Sequence, residues 1–158
     1  MSDTIRPGSR DDAPGVVALI GRVFAEYGFV WEPAVEVPDL LAFDAHYAPP
    51  RGAFWVVVDG AGGVVGSAGV ERLDAGAAEL HRLYLDADRR GRGLAEALVD
   101  AALAWCRARS LARLVLWSDT RFAHAHRLYL RLGFRQDGER TLPGDLNASR
   151  EFRFAREV

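Results

Sequence analysis

The chain has 158 residues, is 49% hydrophobic and carries a formal net charge of −2 from 20 basic and 22 acidic side chains. That is apolar material for one continuous core and too little for two ordinary domains, so a single domain over residues 1–158 is expected. The balanced charge gives no footprint for nucleic acid, and because every basic residue is arginine, a phosphate-loop lysine, a Schiff-base lysine and a pyridoxal phosphate anchor are excluded.

The first ten residues hold no apolar run of the kind that forms a signal peptide or membrane span, so a cytoplasmic protein with no membrane partner is expected. A short strand, Thr4 to Arg6, precedes Asp11 and Asp12, either of which can cap a helix with Pro14 in its first turn. Val16, Val17, Ile20, Val23 and Phe24 form its apolar face, and Gly28 ends it. An aromatic, proline-interrupted loop from Tyr27 to Pro33 leads to a second helix expected over about Val37 to Tyr47. Phe54 to Val58, the turn Asp59 to Gly63 and Val64 to Leu73 read as a hairpin, and Ala77 to Leu85 as the third strand of a meander. Leu94, Leu98, Ala101, Ala102 and Trp105 then recur at helical spacing. Cys106, the lone cysteine, lies within that apolar pattern and is read as core; alone it allows neither an internal disulfide nor a multi-cysteine zinc site. Leu111 to Trp117 is a strand, Phe122, Ala125, Tyr129 and Leu132 share a helix face that Gly133 closes, and Phe134 to Arg140 and Glu151 to Arg156 are the last strands. The order implies an α+β fold with helices packed on a mixed sheet.

The turn between the third meander strand and the next helix carries the chemistry. Arg89-Arg90-Gly91-Arg92-Gly93 places free backbone N–H groups at the positive end of a helix dipole, glycine lets the backbone approach a bulky anion, and three arginines offer further bonds. A dinucleotide fingerprint starting at Gly91 needs Gly or Ala at position 96, where the chain has Glu96, and a Walker loop needs lysine. His124 and His126, two apart on a helix, diverge and do not chelate, so no metal is expected.

Arg90-x-x-Gly93-x-Ala95 resembles the acyl-CoA pyrophosphate motif of the GNAT acetyltransferase superfamily. The stretch from Glu79 to Ala95 looks like that family's fourth strand and helix start, and Ala123 to Phe134 (AHAHRLYLRLGF) is similar to its later helix. The resemblance implies the acyl-CoA N-acyltransferase fold, acetyl-CoA as co-substrate, and transfer to a primary amine of a small molecule or peptide by direct attack. It implies donor contacts from Leu83, Tyr84, Leu85, Arg90, Gly91, Arg92, Gly93, Leu94, Ala95 and Glu96. It makes Glu79 the general base, with His81 on the same strand face as helper or alternative, and Tyr129 the general acid. The first helix and its loop, here Glu26, Tyr27, Phe29, Trp31 and Glu32, are implied to line the acceptor pocket, where acids among aromatics suit a cationic amine. Phe122 departs from the asparagine many relatives carry seven residues before the tyrosine, which removes one polar contact to CoA. The alternatives are a non-catalytic module that senses acyl-CoA and, more distantly, a domain for another nucleotide. An edge strand or an exchanged C-terminal strand could pair two copies into a homodimer.

Overall fold

The structure, a computed structural model, describes residues 2–158. In chain order the elements are β1 (Thr4–Pro7), α1 (Ala13–Tyr27), α2 (Pro33–Glu36), α3 (Pro38–Leu41), α4 (Phe43–Tyr47), β2 (Gly52–Val58), β3 (Val64–Arg72) and β4 (Ala77–Leu85). They continue with α5 (Leu94–Ala108), β5 (Arg113–Asp119), α6 (Ala123–Arg131), β6 (Arg135–Thr141) and β7 (Arg150–Glu157). The strands form one seven-stranded sheet in the order β1-β2-β3-β4-β5-β7-β6, antiparallel except where β4 runs parallel to β5. This is the mixed sheet with helices on both faces that the element order implied.

Each face buries its own apolar cluster, because alternate strand residues point to opposite sides. Leu98, Val99 and Ala102 of α5 pack on Leu80, Leu114 and Leu116, with fully buried Cys106 among them. Val16, Ile20 and Phe24 of α1 pack with Val37, Phe43 and Val56 on the other face. Burial pushes the Cys106 thiol up from its ordinary value, as befits packing and not nucleophilic work.

Three local expectations are corrected. The single helix expected over about Val37 to Tyr47 is two short ones, α3 and α4, divided at Ala42, whose φ −124° and ψ 48° lie outside the helical region. Asp12 stands at the N-cap of α1 without a side-chain capping bond; its carboxylate accepts from the Ser9 amide at 2.9 Å and from Arg6. The strand expected from Leu111 begins at Arg113, with Leu111 buried in the connection before it.

Two irregularities in the sheet create the site. β4 and β5 pair only at Ala77↔Arg113, Ala78↔Leu114 and Glu79↔Val115; beyond that β4 stays with β3 and β5 with β7, so the strands part. Within β4, His81 faces Gly69 and Tyr84 faces Ser67, leaving two residues opposite Ala68. This bulge puts Arg82 at φ 54°, a left-handed conformation costing about 1 kcal/mol or more for a residue with a side chain. Ser67 Oγ donates to the Arg82 carbonyl at 2.7 Å, and the turned guanidinium meets Asp39.

Candidate active site

A cleft of about 1180 Å³ runs along the parting between β4 and β5, walled by α1, the start of α5 and α6. At one end the turn expected to hold an anion turns free backbone amides toward the cleft. Among the described residues, the amides of residues 91–96 have no backbone acceptor, and Gly93, the N-cap of α5, supplies no side chain to occupy them. Gly91 and Gly93 sit at φ 75° and 82° with open space where a Cβ would lie, so glycine is required there by conformation, with room left for a bulky anion. Gly91, Gly93, Leu94, Ala95 and Glu96 line the cleft.

Of the three arginines, only Arg90 faces it. Arg89 bonds Asp3 and Asp88, and Arg92 is exposed outside the cleft wall. Arg90 donates to the Leu85 carbonyl at 2.9 Å and to both oxygens of Glu26 at 2.5 and 2.9 Å, which raises its already high pKa. Glu26, expected at the acceptor pocket, therefore belongs to the anion end. After the bulge, Leu83 and Leu85 turn to the α5 core while Tyr84 lies on the α1 face, 6.3 Å from Phe122.

Phe122, the departure from the family pattern, packs against Tyr27 at 4.9 Å and Phe29 at 6.0 Å. The lost polar position has become part of an aromatic wall joining the end of α1 to the start of α6. Tyr27 and Phe29 line the cleft as expected; Trp31 and Glu32 do not. Trp31 instead lies on Phe24, ring centroids 4.8 Å apart, over Gly21, where a Cβ would come within 2.8 Å of its indole nitrogen.

Glu79 stands at the point of parting. Burial alone would raise its carboxyl, but the hydrogen bond and charge of His81, whose Nε2 lies 3.4 Å from Oε2, outweigh this and hold it below its ordinary value. It is ionised at neutral pH. Tyr129 is 5% exposed on the opposite wall, against Phe134 and Phe154. Burial, and then Tyr84, push its hydroxyl well above the ordinary tyrosine value, so it remains a proton donor. His126 bonds Ser118, and His124 contacts Arg127; His126 is kept neutral by burial. No group of three or more His, Cys, Asp or Glu among the described residues could hold a metal, and no helix is long and apolar enough to cross a membrane.

The rest of the cleft wall was not singled out from the sequence. Glu36, Arg82, Arg140, Asp145, Asn147 and Glu151 converge on it from α2, β4, β6, β7 and the loop before β7. Asn147 ties that loop to the loop after α1: its Oδ1 accepts from the Val30 amide at 2.7 Å and its Nδ2 donates to the Val30 carbonyl at 3.0 Å. No local periodicity marks such residues.

A sheet parted beside a glycine turn at a helix start is the architecture of acyl-CoA N-acyltransferases, and known proteins agree. The model of the acetyltransferase (GNAT) family matches residues 21–134. The chain is 32% identical over 139 residues to the uncharacterized N-acetyltransferase YjgM of Escherichia coli, covering 85% of this chain and 83% of that one. It is 37% identical over 111 residues to the N-acetylaspartate synthetase of Danio rerio, covering 67% of this chain and 39% of that protein. A crystal structure of a GNAT-family acetyltransferase from Staphylococcus aureus superposes with a TM-score of 0.84 at 21% identity over 99% of each chain. The chain belongs to the GNAT acetyltransferase family.

Proposed function

We propose that this protein is an acetyl-CoA-dependent N-acetyltransferase acting on a primary amine of a small molecule or peptide. One observation carries the reading: six unpaired amides, residues 91–96, open at a helix N-terminus into the same gap at whose base the ionised Glu79 stands. The amides and Arg90 suit a pyrophosphate by charge and by the space over Gly91 and Gly93. Acetyl-CoA, when bound, supplies a thioester. The amine attacks its carbonyl carbon, Glu79 takes the ammonium proton, and Tyr129 gives its hydroxyl proton to the departing thiolate. Glu36, which meets Asn147 Nδ2 at 3.3 Å and has no ion-pair partner among the described residues, favours an acceptor that is itself positively charged.

The test is calorimetric titration with acetyl-CoA, alongside NAD and a Gly93→Asp variant, followed by an amine screen. Saturable acetyl-CoA binding, weakened more than about tenfold by a charge at the N-terminus and an unfavourable left-handed φ, is expected. Acetyl-CoA binding without turnover of any amine would favour a sensing module; no binding would overturn the reading.

A further inference from the structure

Strand β4 changes the faces of its side chains halfway along. Ala78 and Leu80, and then Leu83 and Leu85, belong to the cluster under α5, an odd step where an unbroken strand, with its period of two, would place residues 82 and 84. Pairing with β3 fixes the strand on either side, His81 against Gly69 and Tyr84 against Ser67, so Arg82 and Leu83 are left opposite Ala68. Packing therefore calls for an extra residue, but the left-handed turn that absorbs it falls on Arg82 at φ 54°, a conformation that a residue with a side chain disfavours about fivefold or more.

Two side chains behind the cleft wall hold that turn. Ser67, fully buried on β3, donates from Oγ to the Arg82 carbonyl at 2.7 Å. The Arg82 guanidinium donates to both oxygens of Asp39, at 2.7 and 3.2 Å, and Asp39 is held in turn by the Tyr47 hydroxyl of α4. Burial would raise the Asp39 carboxyl, but the bonds from Arg82 hold it below its ordinary value. Neither Asp39 nor Ser67 lines the cleft, so each acts through the strand and not on a ligand. Beyond the bulge, Leu83, Tyr84 and Leu85 border the gap, since β4 and β5 part after Glu79, and the Leu85 carbonyl accepts from Arg90 at 2.9 Å. A one-residue slip of this run would turn its backbone groups to the opposite edge and take that carbonyl away from Arg90.

We propose that Asp39 and Ser67 are positioning residues for the donor: by holding Arg82 left-handed they set the bulge that aims residues 83–85, and through the Leu85 carbonyl the Arg90 guanidinium, at acetyl-CoA. A chain that holds the bulge only part of the time binds the donor in proportion to that time. The donor half of the proposal rests on the acetyl-transfer reading; the bulge does not, so the two fail separately.

Acetyl-CoA titration of two double variants, Asp39→Asn/Arg82→Gly and Asp39→Asn/Arg82→Ala, isolates the turn, because both lack the ion pair and they differ in their tolerance of a positive φ. The glycine variant should bind about fivefold more tightly than the alanine variant. An ion pair that merely steadied α3 would weaken both alike. Ser67→Ala, which leaves both partners of the ion pair in place, should weaken binding about fivefold, the effect of one hydrogen bond. Equal affinities for the two double variants, or a Ser67→Ala protein that binds as the intact one does, would overturn the proposal. NMR gives a readout that needs no acetyl-CoA. The amide and Hα protons of one residue approach most closely at positive φ, so Arg82 should show a strong NOE between them in the intact protein and a weaker one in Ser67→Ala. If the NOE behaves so while the intact protein binds no acetyl-CoA, the bulge assignment stands and the acetyl-transfer reading falls. An NOE that is weak in the intact protein, or unmoved by Ser67→Ala, overturns the assignment itself.

Discussion

The amides at the anion end of the cleft come from one uninterrupted segment, residues 91–96, whereas the groups at the other end come from α1, α2, β4, α6, β6, β7 and the loop before β7. The first end is built mainly of backbone, whose N–H groups are the same whatever the side chains. The second is built of side chains held by long-range ion pairs such as Arg82–Asp39 and by the Asn147 clasp on Val30. On the proposed reading, one end presents a fixed ligand chemistry, and the other can change its acceptor by substitution without disturbing the first.

The largest expected effect tests whether the ends are separable. Glu79→Gln should lower kcat by about 10²–10³-fold, the contribution of a positioned proton acceptor, while calorimetry finds acetyl-CoA affinity within about twofold of the intact protein. An equal loss of affinity would make Glu79 part of the frame and dissolve the distinction. Next, Asp39→Asn removes the partner of a mostly buried arginine and should cost about 2–3 kcal/mol in denaturant unfolding. Because the folded Asp39 value is depressed, its contribution is present above the ordinary carboxylate value of about 4 and is lost as pH falls through the folded value. Stability of the intact protein should therefore fall more steeply in acid than that of the variant.

Tyr129→Phe should reduce kcat about tenfold, less than the Glu79 change because a thiolate leaves readily. Its raised value keeps the hydroxyl protonated beyond the ordinary tyrosine value of about 10, so Tyr129 contributes no loss of activity between about pH 7 and 10. A descending limb in that range that disappears in Tyr129→Phe would assign it a different role. The smallest effect is at the anion end. Glu26→Gln removes a carboxylate that competes for Arg90 and should tighten acetyl-CoA binding about two- to threefold, the scale of an exposed ion pair, with the gain lost at high salt.

Local signals were legible. The third meander strand and the start of α5 fall at the expected residues, as do the glycines past α1 and α6, at φ 70° and 88°. Glu79 and His81 share a strand face by period two, and their contact follows from that alone. The break that divides the expected second helix falls at Ala42, between Leu41 and Phe43, where no glycine or proline marks it.

By itself the sequence determined the α+β element order, the family pattern from Glu79 to Ala95 and the backbone anion turn, because each depends on residues within a few positions of one another. Only the tertiary structure decided that Arg90 alone among its neighbours faces the cleft, that Trp31 packs on Gly21, and that Phe122 completes an aromatic wall. It alone set Tyr47 beside His81, 34 residues on, and Asp39 beside Arg82, 43 residues on. These outcomes depend on which distant side chains meet across the faces of the sheet. A β-bulge that turns Arg82 out of register changes those meetings while leaving little trace in local periodicity.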